Sequence, residues 1–325
     1  MKVNVHDRLE AIGPAAWSAL VGGARLRSPF LSWTWQREWV KTFAASRRLD
    51  IRCVEDDDGR LVAVLPLYEC DIDVWALVGG ADISDYLDLI ALAGRETDAW
   101  AALLQSRAAS PAAWDLHAVP AQSPTVTALP ALDAGVTVIA TVEERCPVLA
   151  LPDTWDRYLA GLTAKHRHEL TRKIRRLERE ATDTRVTCLR LPSEIATRMG
   201  DFLDLHRRSR AGKARFMDTR MEAFFRRATA KLAEAGAVRL WFLDTASGPL
   251  AAFITLEWDD TVGLYNSGFH PDAAALSPGL VLLARLVEDA IVRGKRRFDF
   301  LRGEERYKYE FEPEPEDVYA VTIRP

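Results

Sequence analysis

The chain has 325 residues, a length at which a single hydrophobic core usually gives way to two, so two domains of about 150 residues each are expected. A hydrophobic fraction of 48 % with 28 % charged residues excludes a disordered or fibrous class. The net charge of −4 splits into −7 over residues 1–150 (13 Lys and Arg against 20 Asp and Glu) and +3 after it (30 against 27). That balance is far too small to imply nucleic-acid binding through bulk charge, and it makes the second half the better receiver of a polyanionic nucleotide cofactor.

The opening MKVNVHDRLEAIG lacks the apolar segment of a signal peptide, and no stretch approaches the roughly 20 apolar residues of a membrane span, so a cytoplasmic protein is expected. Residues 7–21 and 33–45 predict helices, with Trp17, Leu20, Trp35, Trp39 and Phe43 at helical spacing. IRCVE and LVAVLPLYE around an Asp-Gly turn predict a β-hairpin. DVWALVGG and DYLDLIAL predict strands, 95–107 a helix, and WDLHAV a strand. Ser-Pro in SPTVTALPAL marks a helix start, and VTVIATVEE alternates as a strand does. The segment ERCPVLALPDTWDRYLAGL reads as the junction between domains 1–150 and 151–325, with Asp153 or Thr154 capping a basic helix that runs to about Ala181.

The second half then predicts a strand (TRVTCLRL), helices over 193–210 and 218–235, and a meander of AVRLWFLD, LAAFITLEW and TVGLYNSGF. A helix from Ser277 to about Arg293, a short strand RFDFL and a last strand VYAVTI complete it. The class is α/β (α+β), with mixed, mostly antiparallel sheets flanked by helices. The two halves share an outline of helices, meander, helix and strand, which allows a duplicated fold. Cys53, Cys70, Cys146 and Cys188 show no disulfide or zinc spacing, so reduced thiols and no metal site are expected. EDDDG lacks the later ligands of a calcium loop, and His166 and His168 fall on opposite sides of a helix.

The chemistry concentrates in TVGLYNSGFHPDAAALSPGLVLLARLVEDAIVRGKRRFDFLRGEERYKYEF. A strand, a turn, a helix with Gly in its first turn and a second strand could serve coenzyme A. A helix N-terminus supplies N–H donors and a dipole for a pyrophosphate, and a strand edge can pair with the amide-like pantetheine arm. Ser277 is the expected N-cap, Pro278 suits the first turn, and Gly279 offers no side chain to obstruct a phosphate. Asp299 would face away from Phe298 and Phe300 by the two-residue period, and Gly303 would turn the chain so that Arg302 and Lys308 lie near the strand end. The basic helix, with Lys165, Arg167, Arg172, Lys173, Arg175, Arg176 and Arg179, reads either as a clamp for an anionic ligand or as a solvated face relieved by Glu169, Glu178 and Glu180.

YNSGFHPDAAALSPG, LVLLARLVEDAIVRG and FDFLRGEERYKYEF resemble the GNAT superfamily of acetyltransferases. The likeness is nearer to its CelD-like subgroup associated with cellulose and other exopolysaccharides. HRHELTRKIRRLERE and SPFLSWTWQREW extend it weakly over most of the chain. Such proteins are similar to the FemAB transferases, which pair two GNAT-like domains. The resemblance implies tandem GNAT-like domains and acyl transfer from acetyl-CoA or another acyl-CoA to an amine or hydroxyl, with a saccharide or envelope polymer among the acceptors. It implies pantetheine on strand 261–269, with Tyr265, Ser267 and Gly268, and pyrophosphate at Ser277, Pro278, Gly279 and Leu280 with Arg302 nearby. SPGL is poorer in Gly and basic residues than the usual phosphate loop of that family. Thiolate protonation would fall to Tyr307, with Tyr309 second, and proton removal to Asp299, Glu257 or His270. Asp85 and Tyr86, with Arg167 and Lys308, would bind the acceptor. The rival expectations are a FemAB-like enzyme using aminoacyl-tRNA, and a non-catalytic binding module of a polysaccharide system.

Overall fold

A computed structural model of the chain describes residues 1–107, 112–132, 135–181 and 183–325. The chain divides into two compact units, Met1–Arg145 with Glu316–Pro325, and Cys146–Pro315. Among the described residues no helix is long and apolar enough to cross a membrane.

The first unit contains strand β1 (Lys2–His6), helices α1 (Pro14–Gly23) and α2 (Trp33–Phe43), strands β2 (Leu49–Glu55), β3 (Leu61–Asp71), β4 (Val74–Leu77) and β5 (Ile90–Ala91), helix α3 (Glu96–Ser106), strand β6 (Ala113–Pro120) and helix α4 (Pro124–Thr127). Strand β7 (Thr137–Ala150) begins in it. The helix expected over 7–21 starts only at Pro14, where proline suits a first turn, and the preceding Lys2–His6 pairs antiparallel with β2. DYLDLIAL yields just two strand residues, because the Asp88 carboxylate takes the N–H of Leu89 and the hydroxyls of Ser123 and Thr125. A side chain that engages local donors in this way competes with ladder formation.

The second unit holds α5 (Trp155–Gly161), α6 (Ala164–Glu180), β8 (Arg185–Leu189), α7 (Pro192–Ser209), α8 (Ala211–Phe216), α9 (Thr219–Glu234), β9 (Val238–Thr245), β10 (Gly248–Trp258), β11 (Thr261–Phe269), α10 (Pro278–Val292) and β12 (Arg297–Asp299). The final strand β13 (Glu314–Arg324) runs back to pair antiparallel with β6 in the first unit. The single basic helix expected after the junction is two. Thr154 caps α5 by accepting from Arg157 N–H, and Thr163 caps α6 by accepting from His166 N–H, so the chain restarts its helix at 164.

The sheet of this unit runs β8–β9–β10–β11–β12, antiparallel except for β11 with β12, and Val148–Ala150 of β7 closes it beside β12. The expected mixed, mostly antiparallel α/β class is therefore the observed one. Helix α10 reads LVLLARLVEDAIV and is buried along most of its length, with Leu282, Leu283, Ala284, Val287 and Ala290 inaccessible against Phe253, Leu264 and Phe298. Truncating one such leucine to alanine typically costs about 2–5 kcal/mol, so α10 is fixed firmly between its two strands.

Candidate functional site

Strand β12 stops at Asp299, and only Thr261, Val262 and Gly263 of β11 pair with it. From Leu264 to Phe269 β11 continues beside β10 with no strand on its other edge among the described residues. A register shift against β10 makes Tyr265 an extra residue in β11, a bulge of the kind that bends a strand and re-aims its side chains. The open edge leads into a cavity of about 270 Å³ lined by Lys213, Ser267, Gly268, Gly279, Glu305 and Tyr307, among others.

The first turn of α10 forms one wall. Ser277 occupies the N-cap position, but in the left-handed conformation (φ 53°, ψ 45°), and its side chain caps no N–H of the helix. A non-glycine residue held there is uncommon and marks a local constraint. Helix geometry orphans the first N–H groups, here those of Gly279 and Leu280, since Pro278 has none. No acidic residue lies in that turn, and a Cβ placed on Gly279 would meet nothing within 4 Å. Open space, positive dipole and unmet donors together fit a phosphate.

The opposite wall carries the titratable groups. Lys213 of α8 donates through Nζ to the Ser267 carbonyl and to its hydroxyl (3.0 Å). Burial, then the like charge of Arg210, pushes the Lys213 ammonium down to about 8, against the pull of Glu305. The Tyr307 phenol is hydrogen-bonded to the Ser267 side chain, and burial followed by Glu305 drives its pKa far above the ordinary value, so it stays protonated near neutrality. Burial also opposes ionisation of Glu305, but Lys308 and Arg210 outweigh it and leave that carboxyl below its usual range.

Lys308 is itself buried and closes the loop that presents Glu305 and Tyr307. Its Nζ donates to the carbonyls of Arg302 (3.0 Å) and Gly303 (2.8 Å) and pairs with Glu305 at 2.8 Å. The same loop contains Leu301 at φ 55°, whose N–H is taken by the Asp299 carboxylate at 2.8 Å.

Of the residues expected from sequence, Ser267, Gly268, Ser277, Pro278, Gly279, Leu280 and Tyr307 come together around this cavity. Others do not. Asp299 is fully buried and holds the Leu301 turn, with Arg297 at 3.5 Å. Glu257 sits among Arg239 (2.6 Å), Arg293 (2.8 Å) and Lys295 (3.5 Å), which keeps it as a structural counter-ion outside the cavity lining. His270 begins the turn before α10 but is not among the lining residues, and Arg302 contributes its carbonyl to Lys308. Tyr265 stacks on Phe225 with centroids 5.6 Å apart, and the Tyr309 hydroxyl donates to Glu304 at 2.8 Å. Lys308 is engaged within its own loop. Arg167 is exposed on α6, and Asp85 and Tyr86 belong to the first unit.

Gly268 has a packing reason of its own. A Cβ there would lie 2.5 Å from the backbone nitrogen of His206, so glycine is what lets α7 approach β11. His206 packs at that crossing with Nε2 2.9 Å from Asn266 Oδ1, and burial, then Lys213, lowers its pKa to about 4. Arg210, Lys213 and Glu305 are the charged lining residues that sequence reasoning did not assign to the site. The signal of Arg210 and Lys213 was the basic run RAGKARF, which resembles any exposed charge run until Ser267 is brought beside it.

On α6 most cations are already paired: Arg172 with Glu169, Lys173 with Glu310, and Arg176 and Arg179 with Glu180. Among the described residues no group of three or more His, Cys, Asp or Glu is arranged to hold a metal.

Residues 164–309 match the family of acetyltransferase (GNAT) domains. No curated protein sequence matches the chain. Among solved structures the chain is similar to FemX, with a TM-score of 0.65 at 12 % identity over 98 % of this chain and 97 % of that one. It is similar to a conserved protein of unknown function from Bacteroides thetaiotaomicron VPI-5482 (TM-score 0.64, 12 % identity, 100 % of each chain). It is also similar to the C-terminal domain of a putative lysylphosphatidylglycerol synthetase from Agrobacterium fabrum (TM-score 0.62, 12 % identity, 97 % of this chain and 92 % of that one). At such identities the likeness is one of fold. Residues 164–309, less than half of the chain, thus match a GNAT-type acetyltransferase domain, and the solved structures share its fold.

Proposed function

We propose that the second unit is an acyl-CoA-dependent acyltransferase that moves the acyl group to an amine or hydroxyl of a small-molecule or saccharide acceptor, with the CelD-like, polymer-associated subgroup as its setting. One observation carries the reading: an open strand edge, an uncapped helix start and a protonated tyrosine converge on a single cavity. The open edge of β11 offers its backbone groups to the pantetheine amides, as an added strand would pair. The N–H groups of Gly279 and Leu280 and the dipole of α10 receive the pyrophosphate.

In this arrangement Tyr307 is the proton donor to the departing thiolate. Its depressed acidity keeps the proton available, and the poorly solvated surroundings make a positioned donor effective. Acyl-CoA supplies an activated thioester, and no covalent enzyme intermediate is needed. Glu305 is the carboxylate on the lining and, held ionised by Lys308 and Arg210, suits the approach of an acceptor's ammonium or hydroxyl. The first unit we assign to a second GNAT-like domain, with Asp85 and Tyr86 as its own ligand-binding candidates.

The test is calorimetric titration of the full chain with acetyl-CoA, followed by mass spectrometry for acyl transfer to amines and sugars. Binding with transfer supports the proposal. A flat titration for every CoA ester, with transfer from aminoacyl-tRNA instead, would replace it by the FemAB-like reading; flat traces for both would leave a binding module.

A further inference from the structure

We propose that Lys213 is a positioning residue for proton delivery, its ammonium fixing the direction of a hydrogen-bond chain from Lys213 through Ser267 to Tyr307 so that the phenol hydrogen is left for the cavity. The proposal rests on the acyltransferase reading for its consequence, but the chain itself is a property of the protein alone.

The direction follows from counting donors. An ammonium has three donors and no acceptor, so the Ser267 hydroxyl oxygen, 3.0 Å from Lys213 Nζ, accepts from it. A second donor goes to the Ser267 backbone carbonyl, which fixes Lys213 on the strand rather than on the hydroxyl alone. The serine hydroxyl has a single hydrogen, and its neighbour on the other side is the Tyr307 phenol. With one lone pair held by the ammonium, the serine's own hydrogen is directed to the phenol oxygen, the sense that favours the ionised phenol. A phenol that accepts from Ser267 keeps its own hydrogen for whatever lies in the cavity. Without the ammonium, Ser267 is free to rotate and accept from Tyr307, turning the acid away from its target.

The groups facing Lys213 come from each surrounding element. Arg210 precedes it at the start of α8, His206 approaches from α7, and Glu305 and Lys308 approach from the loop after β12. The two cations and burial together make the ammonium ready to release a proton, with Glu305 opposing them. When the carbon–sulfur bond of the thioester breaks, the sulfur takes the phenol proton and Tyr307 takes that of Ser267. Ser267 takes one from Lys213, leaving a neutral amine. The proton lost by the attacking amine or hydroxyl then restores the ammonium, so the cycle balances without any further reactant.

Three variants and one direct observation test this. In steady-state assays Lys213→Met is expected to lose roughly 10²–10⁴-fold in kcat while acetyl-CoA affinity changes less than about threefold. The parent rate should fall as pH rises through about 8, and that limb should be missing in Lys213→Met. Lys213→Arg, which donates but does not release its proton, should also lack the limb while exceeding Lys213→Met in rate. Parental rate and an unchanged limb in Lys213→Met would overturn the proposal, as would loss of acetyl-CoA binding in that variant, which would make Lys213 a ligand contact. Independently of any activity, nitrogen-15 lysine spectra of the unliganded protein should show one side chain titrating near pH 8, displaced by Ser267→Ala and absent from Lys213→Met. A lysine spectrum unmoved by Ser267→Ala would sink the chain even if acyl transfer is real. A protein that binds no acyl-CoA yet shows the displaced titration would keep the chain and lose the acyltransferase reading.

Discussion

Each unit places a helix between two parallel strands, α3 between β4 and β6 and α10 between β11 and β12, and the two helix starts differ in what they meet. At the start of α3 the first turn carries Glu96 and Asp98, Glu96 lies 3.3 Å from Arg25, and the cavity beside them is about 10 Å³. At the start of α10 there is no acid, no side-chain cap and a cavity of about 270 Å³. A helix N-terminus attracts negative charge wherever it stands. The first unit satisfies that attraction with its own carboxylates, and the second leaves it to a ligand. The lesson is that the absence of a local stabiliser, not its presence, marks the candidate site.

The sharpest way to break the comparison is to give the second unit the arrangement of the first. Gly279→Glu places a carboxylate in open space at the start of α10, where it suits the dipole and repels a phosphate. Acetyl-CoA binding should vanish, and with it the roughly 2.7 kcal/mol of stabilisation that ligand at about 100 times its dissociation constant confers. The check is a pair of melting curves with and without acetyl-CoA; a full ligand shift in the variant would put the phosphate elsewhere.

Next in size is Tyr307→Phe, which keeps the ring and removes the proton. Turnover should drop roughly 10²–10⁴-fold with affinity for acetyl-CoA unchanged, measured by steady-state kinetics beside calorimetry. A melting temperature that falls while the rate holds would instead make Tyr307 a structural cover of the sheet edge.

Gly268→Ala probes the wall shared by cavity and fold. The new methyl meets the α7 backbone at 2.5 Å, so stability should fall by about 1–3 kcal/mol in urea unfolding, whereas Gly279→Ala should leave stability nearly unchanged.

His206, at the same crossing, gives stability a pH dependence. Its folded pKa is about 4 against 6.5 for the free side chain, so the unfolded chain binds the extra proton between those values. Stability should therefore be lost as pH falls from about 6.5 to about 4, and His206→Gln should flatten that part of the curve. A slope of equal size in the variant would assign the effect to other groups.

The smallest effect belongs to the first unit. Asp98→Ala removes an exposed acid from the start of α3 and should cost about 0.3–1 kcal/mol without altering acetyl-CoA affinity. A changed affinity would mean that the first unit takes part in holding the cofactor.

The second unit's meander and its apolar helix were legible because their patterns are local. TVGLYNSGF alternates as a strand does, and SPGLVLLARLV joins a proline start to a run that must be buried. What could not be read was decided at long range. Glu257 looks like a base in LEW until Arg239, from β9, and Arg293 and Lys295, from the end of α10, close around it. Asp299 looks available until the turn at Leu301 claims it. Lys213 sits in a six-residue helix of ordinary composition, and its meaning depends on Ser267, 54 positions away. Local periodicity reports elements, while the partners of a charged side chain depend on how those elements pack.

The central claim is that the start of α10, and not that of α3, receives the acyl-CoA. Hydrogen–deuterium exchange of the full chain with and without acetyl-CoA tests it most directly, since both helix starts are read in one experiment. The account predicts new protection over residues 264–282 and none over residues 88–100; protection at the second segment, or at neither, would contradict it.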